Sequence, residues 1–260
     1  MATVHVDRQG PVVHLVIDNP AKFNAMTLGM WQTIAQTVAE AESQPEARVL
    51  VLRGAGDKAF VSGADISEFE SRRSDPAGVT AYDDAVRSAQ AALAACSMPV
   101  IAVIRGVCMG GGIGLALAAD LRYCAGTARF RMPAARLGLG YGFEGMERAV
   151  QRVGAARAAE LFLTARTFDG AEAQRIGLVN EAFDADRFDE EVESRIAMVA
   201  GNAPLTMAAA KLAISQAALP PADRDLHRVN AAVRACFESE DYKEGRRAFM
   251  EKRAPQFKGH

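Results

Sequence analysis

The order in which two kinds of hydrophobic pattern follow one another is what most constrains the fold of this chain. Short apolar runs of strand length alternate with helical periodicity through the first two-thirds, and after that almost only helical periodicity remains. Val12–Asp18 (VVHLVID) is rich in β-branched residues and ends at Asn19-Pro20, a turn signal. Thr27 is placed to cap a helix reaching about Glu42, with Met30, Ile34, Thr37, Val38 and Ala41 on one stripe. Arg48–Arg53 and Pro99–Arg105 read as buried strands, Val79–Ala95 as an amphipathic helix, and Leu121–Ala125 and Ala128–Arg131 as further strands. The loop Gly54–Gly63 leads into a short helix from about Ala64, and Gly110–Ala119 opens as a loop and continues as a helix. Beyond Glu144, helix periodicity marks Arg157–Leu163, Asp169–Ile176, Arg187–Ala200, Leu205–Ala217, Asp223–Glu238 and Asp241–Lys252, with Gly177–Asn180 the one β-like piece. Alternating strands and helices followed by helices predict an α/β core with a helical C-terminal part. Ser71–Gly78, charged and carrying Pro and Gly, reads as a mobile loop.

Composition narrows the function classes. At 260 residues, half of them hydrophobic, the chain buries a sizeable core without staples. A net charge of −2 offers no global field for nucleic acid or an anionic membrane, so a phosphate-bearing ligand needs a local basic cluster. Cys96, Cys108, Cys124 and Cys236 are widely spaced and read as small core hydrophobes in a reducing compartment. The four histidines do not cluster either, and no metal site is expected. MATVHVDRQG lacks the basic and apolar regions of a signal peptide, and no run approaches about 18 apolar residues, so a cytoplasmic protein with no membrane partner is expected.

Two small-residue loops carry the chemistry. Ser62-Gly63-Ala64-Asp65-Ile66 lies where a loop meets a predicted helix start, and small residues there let a ligand approach the backbone N–H groups. Taken alone it is only a helix cap. Arg105-Gly106-Val107-Cys108-Met109-Gly110-Gly111-Gly112 follows a buried strand and precedes a helix. Consecutive glycines destabilise unless the backbone conformation or a close approach demands them. A tight strand-to-helix turn and a second N–H donor are both open readings. Two such loops suit two donors converging on one oxyanion, as a thioester enolate requires.

These segments resemble the enoyl-CoA hydratase/isomerase (crotonase) superfamily. Ala59–Ile66 resembles the family motif at the first oxyanion donor, and Gly106–Gly112 with the small-residue helix ending at Asp120 resembles the second. Asn19–Ala25 (NPAKFNA), Asp169–Ala173, Gly177–Asn180 and Ser239–Phe257 are also similar to family segments in the same order. The resemblance implies a crotonase-like ββα spiral core over residues 1–202 and a helical oligomerisation region over 203–260, assembled as a homotrimer or a dimer of trimers. It implies an acyl-CoA thioester as substrate, coenzyme A entering only as part of it, and no separate cofactor. Ala64 and Gly111 would supply the two N–H groups. Lys22 and Phe23 would line the pantetheine or phosphate path, and Ser62, Gly63, Asp65, Ile66 and Gly110 would belong to the loops around the thioester and CoA channel, Asp65 in a structural part. Phe249 and Lys252 would reach CoA from the C-terminal helix, across a subunit boundary.

The chain departs from the family where water chemistry is done. A hydratase commonly uses two glutamates. Those positions fall on Gly114 and Ala134, and neither residue moves a proton. With a one-residue gap, Arg136–Gly145 (RLGLGYGFEG) resembles the segment of methylmalonyl-CoA decarboxylases that carries a tyrosine, matched by Tyr141, as does the Tyr82-Asp83-Asp84 neighbourhood. The histidine of that subgroup's first oxyanion loop is replaced by Ala64. Glu144, between glycines and expected half-buried beside Leu139 and Phe143, is the candidate acid or base, with a solvated helix start as the alternative. Arg136 is placed either to recognise a substrate carboxylate or to pair with Glu144 or Asp120.

The expectation is an acyl-CoA lyase, with decarboxylation or double-bond isomerisation as alternatives inside the same enolate chemistry. Two readings come from other classes. A non-catalytic acyl-CoA-binding protein would keep the loops without turnover. A dinucleotide oxidoreductase would use Gly140–Gly145, which matches G-x-G-x-x-G but lacks the flanking strand–turn–helix unit and its later acidic residue.

Overall fold

In the computed structural model, which describes residues 2–68 and 75–260, strands leave one sheet and enter a second at three successive crossings. The first sheet has six strands: β1 (Thr3–Gln9), β2 (Val12–Asp18), β3 (Val49–Gly54), β5 (Val100–Ile104), β7 (Leu121–Ala125) and β10 (Glu181–Phe183), in that spatial order. All neighbours are parallel except the β1–β2 hairpin. The second sheet holds β4 (Ala59–Val61), β6 (Val107–Met109), β8 (Arg129–Arg131) and β9 (Phe168–Asp169). β3 runs on into β4, β5 into β6 and β7 into β8, and helices α2 (Pro76–Ala95) and α3 (Gly111–Ala118) return the chain for the next turn. This is the ββα spiral.

The crossings need glycine. A Cβ on Gly54 would lie 2.3 Å from the Ala59 carbonyl oxygen. Gly106 has φ +64°, and a Cβ there would sit 2.0 Å from the Lys58 carbonyl oxygen. Alternation along β3 then divides the core. Leu50 and Leu52 face one cluster with Leu15, Ile17, Ile34 and Leu93, and Val49 and Val51 face another under α8 (Phe188–Ala200) with Ile101, Phe183, Phe188 and Val192. Helix α1 (Leu28–Glu42) is capped by Thr27, whose Oγ1 accepts from Met30 N at 3.2 Å, and its buried stripe includes the five residues expected.

Helices α4 (Ala134–Leu137), α5 (Phe143–Val153), α6 (Ala155–Thr164) and α7 (Gly170–Arg175) follow, before α8 and the final trio α9 (Pro204–Ala217), α10 (Leu226–Glu238) and α11 (Glu240–Glu251). α9 is tied to the spiral by Lys211, whose ammonium meets Asp120 at 2.6 Å and the Met98 carbonyl at 2.9 Å. The trio also presents Ile214, Phe237, Phe249 and Met250 to solvent, the last two 83% and 80% exposed. An apolar cavity of about 720 Å³ opens between its helices, lined by Ala209, Val233, Phe237, Tyr242, Phe249 and Phe257 among others.

Several local expectations are corrected. β1 pairs through all seven residues with β2, and its Val4 and Val6 alternation was the signal for it. The Gly54–Gly63 loop contains β4, and Val107–Met109 is a strand, because each three-residue piece pairs with its neighbour in the second sheet. The β-like piece near residue 177 is displaced to β10. The segment read as a mobile loop lies in part outside the described residues. Its Asp75 end is a helix start, with Asp75 Oδ1 accepting from Gly78 N at 2.7 Å and Pro76 in the first turn.

Candidate active site

The two small-residue loops meet because β4 and β6 are parallel neighbours, with one register shift between Ala59 and Val61. Their C-terminal ends release Ser62–Asp65 and Gly110–Gly111 side by side: a Cβ on Gly110 would lie 3.8 Å from Gly63 Cα, and one on Gly63 would lie 3.6 Å from the Met109 carbonyl oxygen. Gly63 and Gly110 have φ +119° and +51°, a region closed to most side chains. Each loop is stitched to a third segment. Met26 N donates to the Gly63 carbonyl and Asp65 N to the Met26 carbonyl, both at 2.8 Å, while Gly110 N donates to the Arg131 carbonyl at 3.0 Å. This fixes Ala64 against Met26 as an isolated bridge, in place of the helix start expected there; the nearest helical turn is the 3₁₀ turn Ile66–Glu68. Among the described residues, the N–H groups of Ala64 and of Gly111, the first residue of α3, have no protein acceptor. Trp31 lies under Gly111, with its indole N–H donating to the Tyr82 hydroxyl at 2.8 Å.

The Asn19–Ala25 segment packs on the first loop. Phe23 and Asn24 both have left-handed backbones, φ 52° and 55°, which Asn24 stabilises by accepting from Asn19 N and donating to the Ala55 and Ala59 carbonyls. The Phe23 carbonyl accepts from Ser62 N, and Phe23's side chain is half-exposed, as Ile66's is largely exposed. Lys22 donates to Asp65 at 2.7 Å and to Ser67 at 2.8 Å. Burial raises the Asp65 carboxyl, and the bonds from Lys22 and Ser67 outweigh it, so Asp65 titrates below an ordinary aspartate.

On the far side of α3, a Cβ on Gly114 would lie 2.5 Å from Gln90 Nε2 and 2.9 Å from the Tyr141 hydroxyl. Gly145 makes room for the same ring, since its Cβ would fall 2.5 Å from Tyr141 Cε1. Tyr141 packs edge-on against Phe162 at 4.9 Å, and burial pushes its hydroxyl up to about 12. Gln90 and Arg148 beside it carried no expectation from the sequence, because nothing in their spacing marks them. Ala134, at the other glutamate position, is buried at the start of α4.

Glu144 and Arg136 differ from expectation. Glu144 stands in the first turn of α5 and not in a turn shared with Tyr141. Its side chain is 57% exposed, as Phe143 beside it is 75% exposed, so the expected half-burial is absent. Its ionic neighbour is Arg87 at 3.9 Å, and Asp120 is held by Lys211, which leaves Arg136 exposed and paired with neither. Phe249 and Lys252 lie at the end of α11, Lys252 as its left-handed cap. Cys96 and Cys124 are buried, with thiols pushed up to about 11 and about 12 by burial, as core residues would be.

Comparison with known proteins places this geometry. The profile of the enoyl-CoA hydratase/isomerase family matches residues 7–260. The chain is 32% identical over 256 residues to a short-chain-enoyl-CoA hydratase of Clostridium acetobutylicum, covering 96% of this chain and 95% of that one. It is also 32% identical over 257 residues to a peroxisomal Delta(3,5)-Delta(2,4)-dienoyl-CoA isomerase of Arabidopsis thaliana, covering 95% and 92%. Among solved structures, an enoyl-CoA hydratase/carnithine racemase from Magnetospirillum magneticum superposes with a TM-score of 0.93 at 32% identity, over 100% of this chain and 97% of the other. The chain belongs to the enoyl-CoA hydratase/isomerase family, the crotonase superfamily, with its fold.

Proposed function

We propose that the protein is an acyl-CoA lyase that binds the thioester oxygen between the N–H groups of Ala64 and Gly111. The observation that carries this reading is the pair of abutting loops whose two N–H groups lack protein acceptors among the described residues. Such donors gain most when charge develops on the oxygen, so they stabilise an enolate more than the ground-state thioester. The half-exposed Phe23 and the Lys22–Asp65 pair border the entry for the CoA moiety, with Ser62 and Ile66 beside them. Phe249 and Lys252 of a second copy contribute to the same channel.

Two-glutamate hydration does not suit this chain, because Gly114 and Ala134 carry no carboxylate. Glu144, solvated at a helix start, serves the dipole rather than the substrate. Loss of CO₂ is the second reading, favoured by that missing pair: its electron pair comes from the breaking C–C bond, so the step needs an oxyanion hole and no base, and the resulting enolate takes its proton from water.

A mass-spectrometric screen of enoyl-, 3-hydroxyacyl- and malonyl-type CoA esters tests both readings. Crotonyl-CoA hydration is expected to be slow. Gly111→Pro removes one donor at the first position of α3, and is expected to lower turnover by about 10²–10³, with circular dichroism verifying that the variant folds. Near-normal turnover in that variant, or fast crotonyl-CoA hydration, sinks this assignment; binding without any turnover makes the protein an acyl-CoA carrier.

A further inference from the structure

We infer that Gln90, Tyr141 and Arg148 form a subsite for a distal carboxylate on the acyl group, so that the substrate is the CoA ester of a short dicarboxylic acid. The inference rests on the proposed thioester site at Ala64 and Gly111. Two polar groups, Gln90 Nε2 and the Tyr141 hydroxyl, face the place where residue 114 lacks a side chain, and Arg148 joins them through Gln90. Arg148 Nη1 donates to Gln90 Oε1 at 2.9 Å. A guanidinium has no acceptor, so this bond fixes the amide with its oxygen toward Arg148 and its NH₂ toward Gly114. Gln90 is only 6% exposed, yet its NH₂ has no protein acceptor among the described residues. The Tyr141 hydroxyl, kept protonated by its burial, has no partner there either. Among the described residues, the remaining guanidinium N–H groups of Arg148 likewise have no protein acceptor. Glu144, one turn before Arg148 on the same face of α5, and Glu147 are near enough to influence Arg148, but both side chains are exposed and neither bonds to it.

A cluster of donors around one permanent cation, in which Gln90 Oε1 takes up a single guanidinium N–H, leaves donors free for an anionic acceptor on the ligand. Gly114 lies three residues beyond Gly111, a rise of about 4.5 Å along α3. An acyl chain whose oxygen sits on Gly111 N–H therefore reaches the cluster with a carboxylate a few carbons away. A carboxylate paired with a guanidinium is stabilised in the ground state and has no tendency to leave. The subsite is thus a recognition device for a carboxylate that survives the reaction, and Arg148, half-buried, fills the part that the sequence assigned to Arg136.

Calorimetric titration of the intact protein with glutaryl-CoA and butyryl-CoA, under conditions without turnover, reads the subsite directly. Glutaryl-CoA is expected to bind at least tenfold more tightly. Arg148→Met is expected to bring the ratio of the two dissociation constants to within twofold of unity, and Arg148→Lys to restore part of it, with circular dichroism verifying that both variants fold. A wild-type ratio near unity, with both esters bound, overturns the subsite and leaves the thioester site standing. Failure of the wild type to bind either ester overturns both.

Discussion

Gly112 shows how tightly single residues set the thioester loops. A Cβ there would lie 2.4 Å from the Val61 carbonyl oxygen and 2.9 Å from Val61 Cβ, inside the strand that delivers Ser62–Asp65. Helix propensity favours alanine by about 1 kcal/mol at such a position, while forced overlap with a strand costs about 1–3 kcal/mol. The overlap wins, because a backbone carbonyl cannot swing aside as a side-chain tip can. Gly112→Ala is expected to lose about 1–2 kcal/mol in chemical denaturation, with turnover falling as β4 shifts. Unchanged stability would mean that β4 and α3 separate at little cost. The glycine run was legible in the sequence as a close approach; which atom each glycine approaches was not, because that partner lies some fifty residues away.

At the scale of elements, the six-stranded sheet carries one polar anomaly, His14 of β2. It is 2% exposed, its Nδ1 has no hydrogen-bond partner, and it lines a cavity of about 60 Å³ with Arg53, Arg105, Asp189 and Glu193. Burial and then Arg53 push its pKa below the usual 6.5, against weaker opposing pulls from Glu193 and Asp7. The folded state therefore resists a proton that the unfolded chain accepts. Stability is full above about pH 6.5 and falls as the pH drops below it through the folded value. His14→Leu is expected to flatten that decline and to add about 1 kcal/mol by removing the orphan nitrogen; denaturation midpoints between pH 7 and 5 check both. Elements with long periodic patterns were read nearly to the residue: β2, α1, β7 and α8. The three-residue strands β4, β6 and β10 were not, since each is made by its partner strand and carries too few residues for a period. α5 is not among the periodic segments either, although a helix start at Glu144 is the alternative the sequence offers to an acid or base there, and the first turn of α5 holds it.

On the scale of the whole molecule, α9–α11 leave large apolar side chains uncovered. Phe249 and Met250 stand in solvent next to the 720 Å³ apolar cavity. A second copy covering this face is the reading proposed above, and sedimentation at micromolar concentration is expected to give a trimer or a dimer of trimers. Phe249→Asp with Met250→Asp is expected to shift the population to smaller species; a wild-type monomer overturns the proposed assembly. The same scale returns the hydrogen bonds that pin the two loops, from Met26 to the first and from Arg131 to the second. The binding groove is sewn from stretches far apart in the chain, and it closes only when the third crossing of the spiral has docked. Contacts so distant in sequence form late, after most of the closure entropy has been paid. A thioester ligand then has nothing to hold in a half-folded chain: it is expected to slow unfolding and raise the melting temperature by mass action, while leaving the rate of folding untouched.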